Sequence, residues 1–501
     1  MAQSTEQLAG KEESGIKKSL AAGVWYTLSS VITKGASMLL APVYTRLMTL
    51  VEYGFNSTIS TWFSMMGTIV TGNLTASVNR AKYEFPGQLD SFISSATFLG
   101  SLITSACYIL VLIFQDFFCE LFGCQIEFFH IMFAVWLLSP ALGMLQEKNR
   151  LENKYKLVVA ISLGSFAISS FFNILMLISE EFRQFTLGSE YAANRVLAMY
   201  FGSNIPLILC YLITYLFLVK RGRVLVNKSY WKYALALSLP LIPHFLSGYI
   251  LNHSDRIMIT KFCGEEYTAL YSVTYTCSAA VSMVFNALNQ AWVPWFNEKY
   301  FYQENQTIKK TTTIYYLLFF AITVGLLLVG PEMLGIFGGA KYAEAIAIMP
   351  VVMASCFFQF SNAFFVNIEM FEKKTMLTAI GTFTAAVLNV VLNYIFIPLY
   401  GYQAAAYTTF AGFMFLFFYH YLICRRLIGK KVQAIYPTAL MKGCLMLITL
   451  FIPLMLLLYT SIIVRGAFML CMLGVGGCLL YKNQAAIKAF LHALKKGKQP
   501  E

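Results

Sequence analysis

Leu251–Tyr271 reads LNHSDRIMITKFCGEEYTALY, a charged interval set between two long apolar runs. It carries charge where a hydrocarbon layer would begin and end. An earlier interval, Pro42–Ser57, reads PVYTRLMTLVEYGFNS and rhymes with it. Arg46-Leu47-Met48 answers Arg256-Ile257-Met258 at an offset of 210, and Glu52-Tyr53 answers Glu266-Tyr267 at 214. Asn79 answers Asn289 at 210, and Gly188 with Ala192-Ala193 answers Gly401 with Ala405-Ala406 at 213. One such match is noise. Four, in order and at a nearly constant offset, describe two copies of one large unit.

Composition says what solvent that unit occupies. Of the 501 residues 58% are hydrophobic and 12% are charged, with a mean hydropathy of +0.64. A soluble domain carries about 25% charged residues, so the chain reads as an all-α polytopic membrane protein. The net charge of +13 does not point to nucleic acid, because the basic residues are scattered between apolar runs like topology charges. The eleven cysteines lie mostly inside those runs, with no CxxC and no Cys/His zinc spacing, so no metal is expected. Cys119 and Cys124 share one loop, where unpaired thiols are expected over a disulfide. Met1–Lys18 is polar and lacks a signal-peptide core; it reads as a short cytoplasmic tail.

A bilayer core of about 30 Å needs roughly 20 mainly apolar residues per helix. Fourteen runs qualify. The first copy holds six, near 20–43, 54–79, 89–114, 126–146, 157–179 and 192–219. The second holds six more, near 232–252, 267–297, 312–330, 344–371, 376–398 and 404–424. A final pair, 437–459 and 461–481, has no counterpart. With the N-terminus inside, 28 of the 37 Lys and Arg residues fall in cytoplasmic segments, 7 fall outside, and Lys34 and Lys442 fall within spans. That bias supports 14 transmembrane helices with both termini cytoplasmic. Six spans per copy is an even number, so the copies share one orientation. They are expected as two parallel six-helix lobes with a substrate path between them. The expected organisation is a tail (1–19), an N-terminal lobe (20–224), a C-terminal lobe (225–430), the extra helix pair (431–481) and an amphipathic tail (482–501) lying on the inner leaflet.

The chain resembles the Wzx-type polysaccharide flippases of the MATE/MurJ-like MOP superfamily. Gln290-Ala291-Trp292-Val293-Pro294 closes span eight in the manner of that family. Asn389-(three residues)-Asn393, Pro398 and Gly401-Tyr402-Gln403-Ala404-Ala405-Ala406 fit it too, as does Asn79-Arg80-Ala81-Lys82-Tyr83-Glu84 after span two. One departure is Glu190, where the family often has glycine. The resemblance implies alternating-access transport of an undecaprenyl-pyrophosphate-linked oligosaccharide from the inner to the outer leaflet of a bacterial cytoplasmic membrane. It implies a lipid-linked oligosaccharide substrate, membrane lipids, H+ or Na+ as coupling ion, polysaccharide polymerase or assembly proteins as partners, and no cofactor.

Candidate residues follow from charge placed in hydrocarbon. An ammonium within span one, Lys34, costs about 2.5–3.5 kcal/mol even on the lenient insertion scale, so it should face a wet cavity or a partner. The repeat offset carries Lys34 onto His244 in span seven, and a cationic axis would lower the cost of moving a pyrophosphate to the midplane. Arg46 and Arg256 take matched places at the outer ends of spans one and seven, with a planar fork suited to phosphate; interfacial anchoring is the plainer alternative. Arg80 and Lys82 sit at the inner mouth, where they gather phosphate or serve as topology charges. Asp255 is expected to pair with Arg256, with proton or sodium coupling as its sharper role. Tyr271, Tyr275, Trp292 and Trp295 either stack on sugars or form interfacial belts, and belts are expected for most. Pro240 and Pro243 should break span seven, as hinging or cavity-lining helices allow. A MATE-like drug/cation antiporter would want acidic residues in the first lobe, and spans one, two, three and five have none inside. A membrane ligase or polymerase would need a sizeable catalytic loop, and the longest external one is about Ser179–Tyr191. With no P-loop, metal cluster or nucleophile elbow, no enzyme is expected and no catalytic residue is assigned.

Overall fold

The computed structural model describes residue 32, residues 35–152 and residues 154–470. Lys34, both tails, the start of span one and most of the last predicted span lie outside the described residues. Among the described residues all regular structure is helical, and eleven helices are long and apolar enough to cross a membrane. The long helices, in chain order, are α1 (35–47), α2 (Leu50–Val70), α3 (Leu89–Ile113), α4 (Ile126–Leu151), α5 (Tyr155–Ile178), α6 (Arg195–Gly222), α7 (Ile242–Phe262), α8 (Glu265–Phe301), α9 (Asn305–Leu328), α10 (Met349–Phe371), α11 (Thr375–Tyr400), α12 (Gln403–Ile428) and α13 (Thr438–Leu458). Lys228–Ser238 leads into α7 through a 3-10 turn, Leu239–Leu241. That turn carries Pro240, and the break expected in span seven is present.

Local chemistry sets the boundaries. α2 opens on a capping box: the Glu52 amide donates to Thr49 Oγ1 at 3.1 Å and the Thr49 amide to Glu52 Oε2 at 2.7 Å. It ends earlier than the apolar run suggests, because Gly72 (φ 61°) and Asn73 (φ 49°) adopt left-handed backbone. α2 is not among the eleven apolar spans. Its polar face, from Asn56 to Ser64, lowers its hydropathy and borders a cavity. The predicted external loop Ser179–Tyr191 is instead the helix Glu180–Ala192, capped by the Ser179 hydroxyl and opened by two acids. The turn near Glu190 is made by Gly188, with φ 78° and ψ 166°, and Gly401 takes nearly the same conformation, φ 73° and ψ −171°. Cys119 and Cys124 are free thiols.

Within the first half α6 packs on α3, α4 and α5; within the second α12 packs on α10 and α11. The opposite-end junction of the first half is tied by Asp90, which accepts from the buried Lys148 and from Arg221 Nε at 2.9 Å. The second half is built on aromatic side chains. Phe319 and Phe360 stack at 3.9 Å between centroids, and Tyr316 and Phe357 close around them, all fully buried.

The halves meet chiefly through α2, which packs against both α7 and α8. At one end they form a latch. Thr45 donates to the Phe337 carbonyl at 2.5 Å, Arg46 Nη2 to the Ile336 carbonyl at 3.2 Å, and Lys341 Nζ to the Met48 carbonyl at 2.5 Å. The Thr58 and Thr260 hydroxyls lie 2.6 Å apart, with Thr268 2.7 Å beyond. Tyr53 meets Tyr342 edge-on.

Candidate functional site

Behind the latch lies a cavity of about 930 Å³, walled by α1 and α2 on one side and by α7, α8 and α10 on the other. The first wall presents Tyr44, Asn56, Ser60 and Ser64; the second presents His244, Asn252, Arg256, Tyr275 and Gln359. Among the described lining residues there is no Asp, Glu or Lys, and Arg256 is the single permanent cation. This cavity explains the polarity of α2. A helix facing water inside a membrane protein can carry amides and hydroxyls that lipid would penalise.

Arg256 is held by four contacts, one of them from Nη1 to the Asn252 carbonyl at 3.5 Å. Its guanidinium lies 5.2 Å from the Tyr275 ring centroid, Nη1 donates to His253 Nδ1 at 2.9 Å, and Nε donates to Ser272 Oγ at 3.2 Å. Because a guanidinium has no acceptor, His253 takes that bond through a lone pair and carries its proton on Nε2. The contacts leave Nη2 unengaged among the described bonds.

Asp255 is next in sequence and points elsewhere. It is fully buried in the second half among α7, α8, α11 and α12. Asn393 Nδ2 donates to its Oδ1 at 2.5 Å, Thr409 Oγ1 donates to its Oδ2 at 2.7 Å, and the Tyr271 hydroxyl also donates to it. Asn389 bonds onward to both Asn393 and Thr409 at 3.1 Å. The expected Asp255–Arg256 pair is therefore absent. Consecutive helix residues do not face one another, and each finds its partners on a different side of α7.

The remaining predicted residues separate. His244 lines the cavity on the turn after Pro240 and Pro243. Arg46 belongs to the latch, where Pro42 and Ile336 carbonyls take its donors. Arg80 is exposed on the short helix Val78–Glu84, and neighbouring Lys82 donates to the Leu151 carbonyl at 3.1 Å. Tyr271 and Trp292 are internal rather than part of a lipid-facing belt. Tyr275 is the aromatic that reaches the cavity beside Arg256. The sequence reading missed Asn393 as an Asp255 partner and Asn389 as the amide that bonds to Asn393 and Thr409 behind it. Their spacing of four within an apolar span was the available signal, since buried amides need partners.

Apolar helices around a polar cavity, with no Asp or Glu among its described lining residues and a latch between the halves at one end, define a multi-pass membrane protein. The chain belongs to the polysaccharide biosynthesis protein family, whose model matches residues 19–300. In Haemophilus influenzae (strain ATCC 51907 / DSM 11121 / KW20 / Rd), the Lsg locus putative protein 1 is 22% identical over 286 residues. That match spans 55% of this chain and 65% of the relative, less than two thirds of its length. The fold is shared with the lipid II flippase MurJ in its inward closed conformation, at a TM-score of 0.63 and 15% identity, over 92% of this chain and 100% of that one. A MOP superfamily transporter from Pyrococcus furiosus matches at 0.52 and 13% identity, over 82% and 96%.

Proposed function

We propose that this protein is a flippase that carries an undecaprenyl-pyrophosphate-linked oligosaccharide from the inner to the outer leaflet of a bacterial cytoplasmic membrane, by alternating access, for surface polysaccharide synthesis. The observation that carries the reading is the cavity lining: one arginine with a free edge, neutral amides and hydroxyls elsewhere, and no carboxylate among the described residues. A pyrophosphate suits that arginine, and sugar hydroxyls suit the neutral wall. A cation exporter would want acid there, so the drug-antiporter reading is weaker.

In this reading the chain has fourteen spans, two parallel six-helix lobes (20–224 and 225–430), a peripheral pair (431–481) and cytoplasmic tails (1–19 and 482–501). The latch then faces outward and the cavity faces the cytoplasm. Arg256 and His244 meet the phosphates, with Lys34 as a second cation on the sequence argument alone. Arg46 holds the outer gate, and Arg80 gathers substrate at the inner mouth. Asp255 is the coupling candidate, its carboxylate enclosed by groups that change contacts when α7 and α11 shift. Glycan-polymerising assembly proteins would take the product. Arg256→Ala should abolish surface glycan export while the protein accumulates in the membrane as before. Export at the wild-type level would overturn the proposal.

A further inference from the structure

Beyond the cavity the second half holds a smaller void, set between α8, α9 and α10. It continues two faces of the cavity away from the latch. On α10 Gln359 lines the cavity, and Ala363 and Asn367, one and two turns on, line the void. On α8 Asn286 lines the cavity, and Asn289 and Trp292 line the void. Phe285 and Phe360 meet edge-on at 5.7 Å where one space gives way to the other.

Three polar groups on the wall of this void have no partner. Trp292 Nε1, the Tyr315 hydroxyl and Asn367 Nδ2 are enclosed and make no hydrogen bond. Trp292 is 4% exposed and Asn367 9%. A buried donor without an acceptor forfeits the bonds it had with water, so such groups call for a physical reason. Packing alone would not select them: phenylalanine or leucine would occupy these places without that cost. Water does not satisfy them either, because the void is too tight for one in this state.

The chemistry of the wall says what would. An indole N–H and an amide nitrogen only donate, so the missing group is an acceptor. No Lys or Arg stands among the described lining residues, and an anion would be buried there without countercharge. The acceptor is therefore neutral. Rings surround it: Trp292 lies 5.2 Å from Tyr315, and Phe364 lies 5.3 Å from Trp292, edge-on. A pyranose bearing an acetamido group has the required parts. Its carbonyl oxygen takes two donors, its methyl packs on rings, and the C–H face of the sugar lies on the indole. A lipid tail would leave all three donors unpaired.

We propose that this void is a subsite for an N-acetylated sugar of the transported glycan, closed in the latched state. That the glycan is cargo rests on the flippase reading. From Tyr275, beside Arg256, to Trp292 the axis of α8 rises about 25 Å, at about 1.5 Å per residue. A pyrophosphate held at Arg256 thus presents distal sugars of the chain to the void, and not the first one. Entry requires the side chains of α8 and α10 to separate. Phe285 is half-buried where Phe360 is buried, and is the less confined ring at that edge.

The test uses the full-length protein in lipid nanodiscs, labelled with 5-fluorotryptophan, with the N-acetylglucosamine oligomer chitotetraose as probe. The fluorine line of Trp292, identified by its loss in Trp292→Phe, should move as chitotetraose is added. Cellotetraose, the same chain without acetamides, should bind about tenfold more weakly, as should chitotetraose to Trp292→Phe and to Asn367→Leu. Asn367→Leu keeps the size and discards an unpaired donor, so it should melt no lower than the wild type. An unmoved Trp292 line, equal binding of the two sugars, or wild-type binding by both variants overturns the subsite. A lower melting temperature for Asn367→Leu would show the amide already paired, and overturns it too. Undecaprenyl pyrophosphate without sugar is the separate arm, and should bind the wild type and Asn367→Leu equally. Its failure to bind the wild type counts against the flippase reading alone, and the chitotetraose titration still decides the subsite.

Discussion

A Cβ placed on Gly54 would stand 1.8 Å from the carbonyl oxygen of Glu265. The backbone of α2 therefore touches the first residue of α8, and the latch closes over that contact. No side chain can occupy the crossing without moving a helix. Gly54→Ala should separate α2 from α8, at about 1–3 kcal/mol for overpacking, and bias the protein toward the unlatched state. Pulsed spin-label distances between α2 and α8 should lengthen, while Gly164→Ala, whose surroundings are open, should leave them as they are. Unchanged distances in Gly54→Ala would show that the crossing is not a constraint.

Arginine at 256 is expected to matter for its shape as well as its charge. A lysine keeps the cation but loses the fork that engages His253 and Ser272 while leaving Nη2 for a ligand. Arg256→Lys should retain a minor fraction of export, on the order of a tenth, corresponding to about 1.4 kcal/mol. Equal export by Arg256→Lys and wild type would reduce its role to electrostatics.

For Lys34 the expectation is the reverse. Its assignment rests on the cost of an ammonium in hydrocarbon, where charge matters more than shape. Lys34→Ala should impair glycan export without changing membrane insertion, and Lys34→Arg should keep some activity. Normal export by Lys34→Ala would remove it from the site.

Removing the Asp255 side chain should destabilise the second half. Asp255→Ala leaves the donors of Asn393, Thr409 and Tyr271 without an acceptor, each at about 1–3 kcal/mol. Asp255→Asn keeps the shape and one acceptor. Thermal unfolding in detergent should show a clearly larger loss for Ala than for Asn, and equal losses would mean the donors find water.

Topology is open to direct measurement. Cysteine labelling of loop and tail positions should find both ends of the chain on the cytoplasmic side. External labelling of the C-terminus would sink the fourteen-span arrangement.

Much of the helix pattern was legible because apolar length is written locally in the chain. The Pro240 break and the shared Gly188 and Gly401 backbone were also within reach of the sequence, since proline and glycine act on their own dihedrals. What escaped was anything settled between distant helices. Asp255 looked committed to Arg256, yet its partners lie 16, 138 and 154 residues away. Arg46 and Arg256 match in the repeat but serve different surroundings, a latch and a cavity. The end of α2 was misplaced because Gly72-Asn73 interrupts an otherwise continuous apolar run. The helix at Glu180–Ala192 was missed although Ser179-Glu180-Glu181 is a helix-start signal.

Three latch bonds, from Thr45, Arg46 and Lys341, end on main-chain carbonyls of Phe337, Ile336 and Met48. Every amino acid offers the same carbonyl, so the accepting positions impose no identity of their own through these bonds. Genetic drift at the exposed Ile336 can alter size and greasiness while its bond survives, whereas Met48 and Phe337 are buried and held by packing, and the three donors must keep a donating side chain. The donors stand on both halves, Thr45 and Arg46 on one and Lys341 on the other, so each half carries its own heritable share of the fastening.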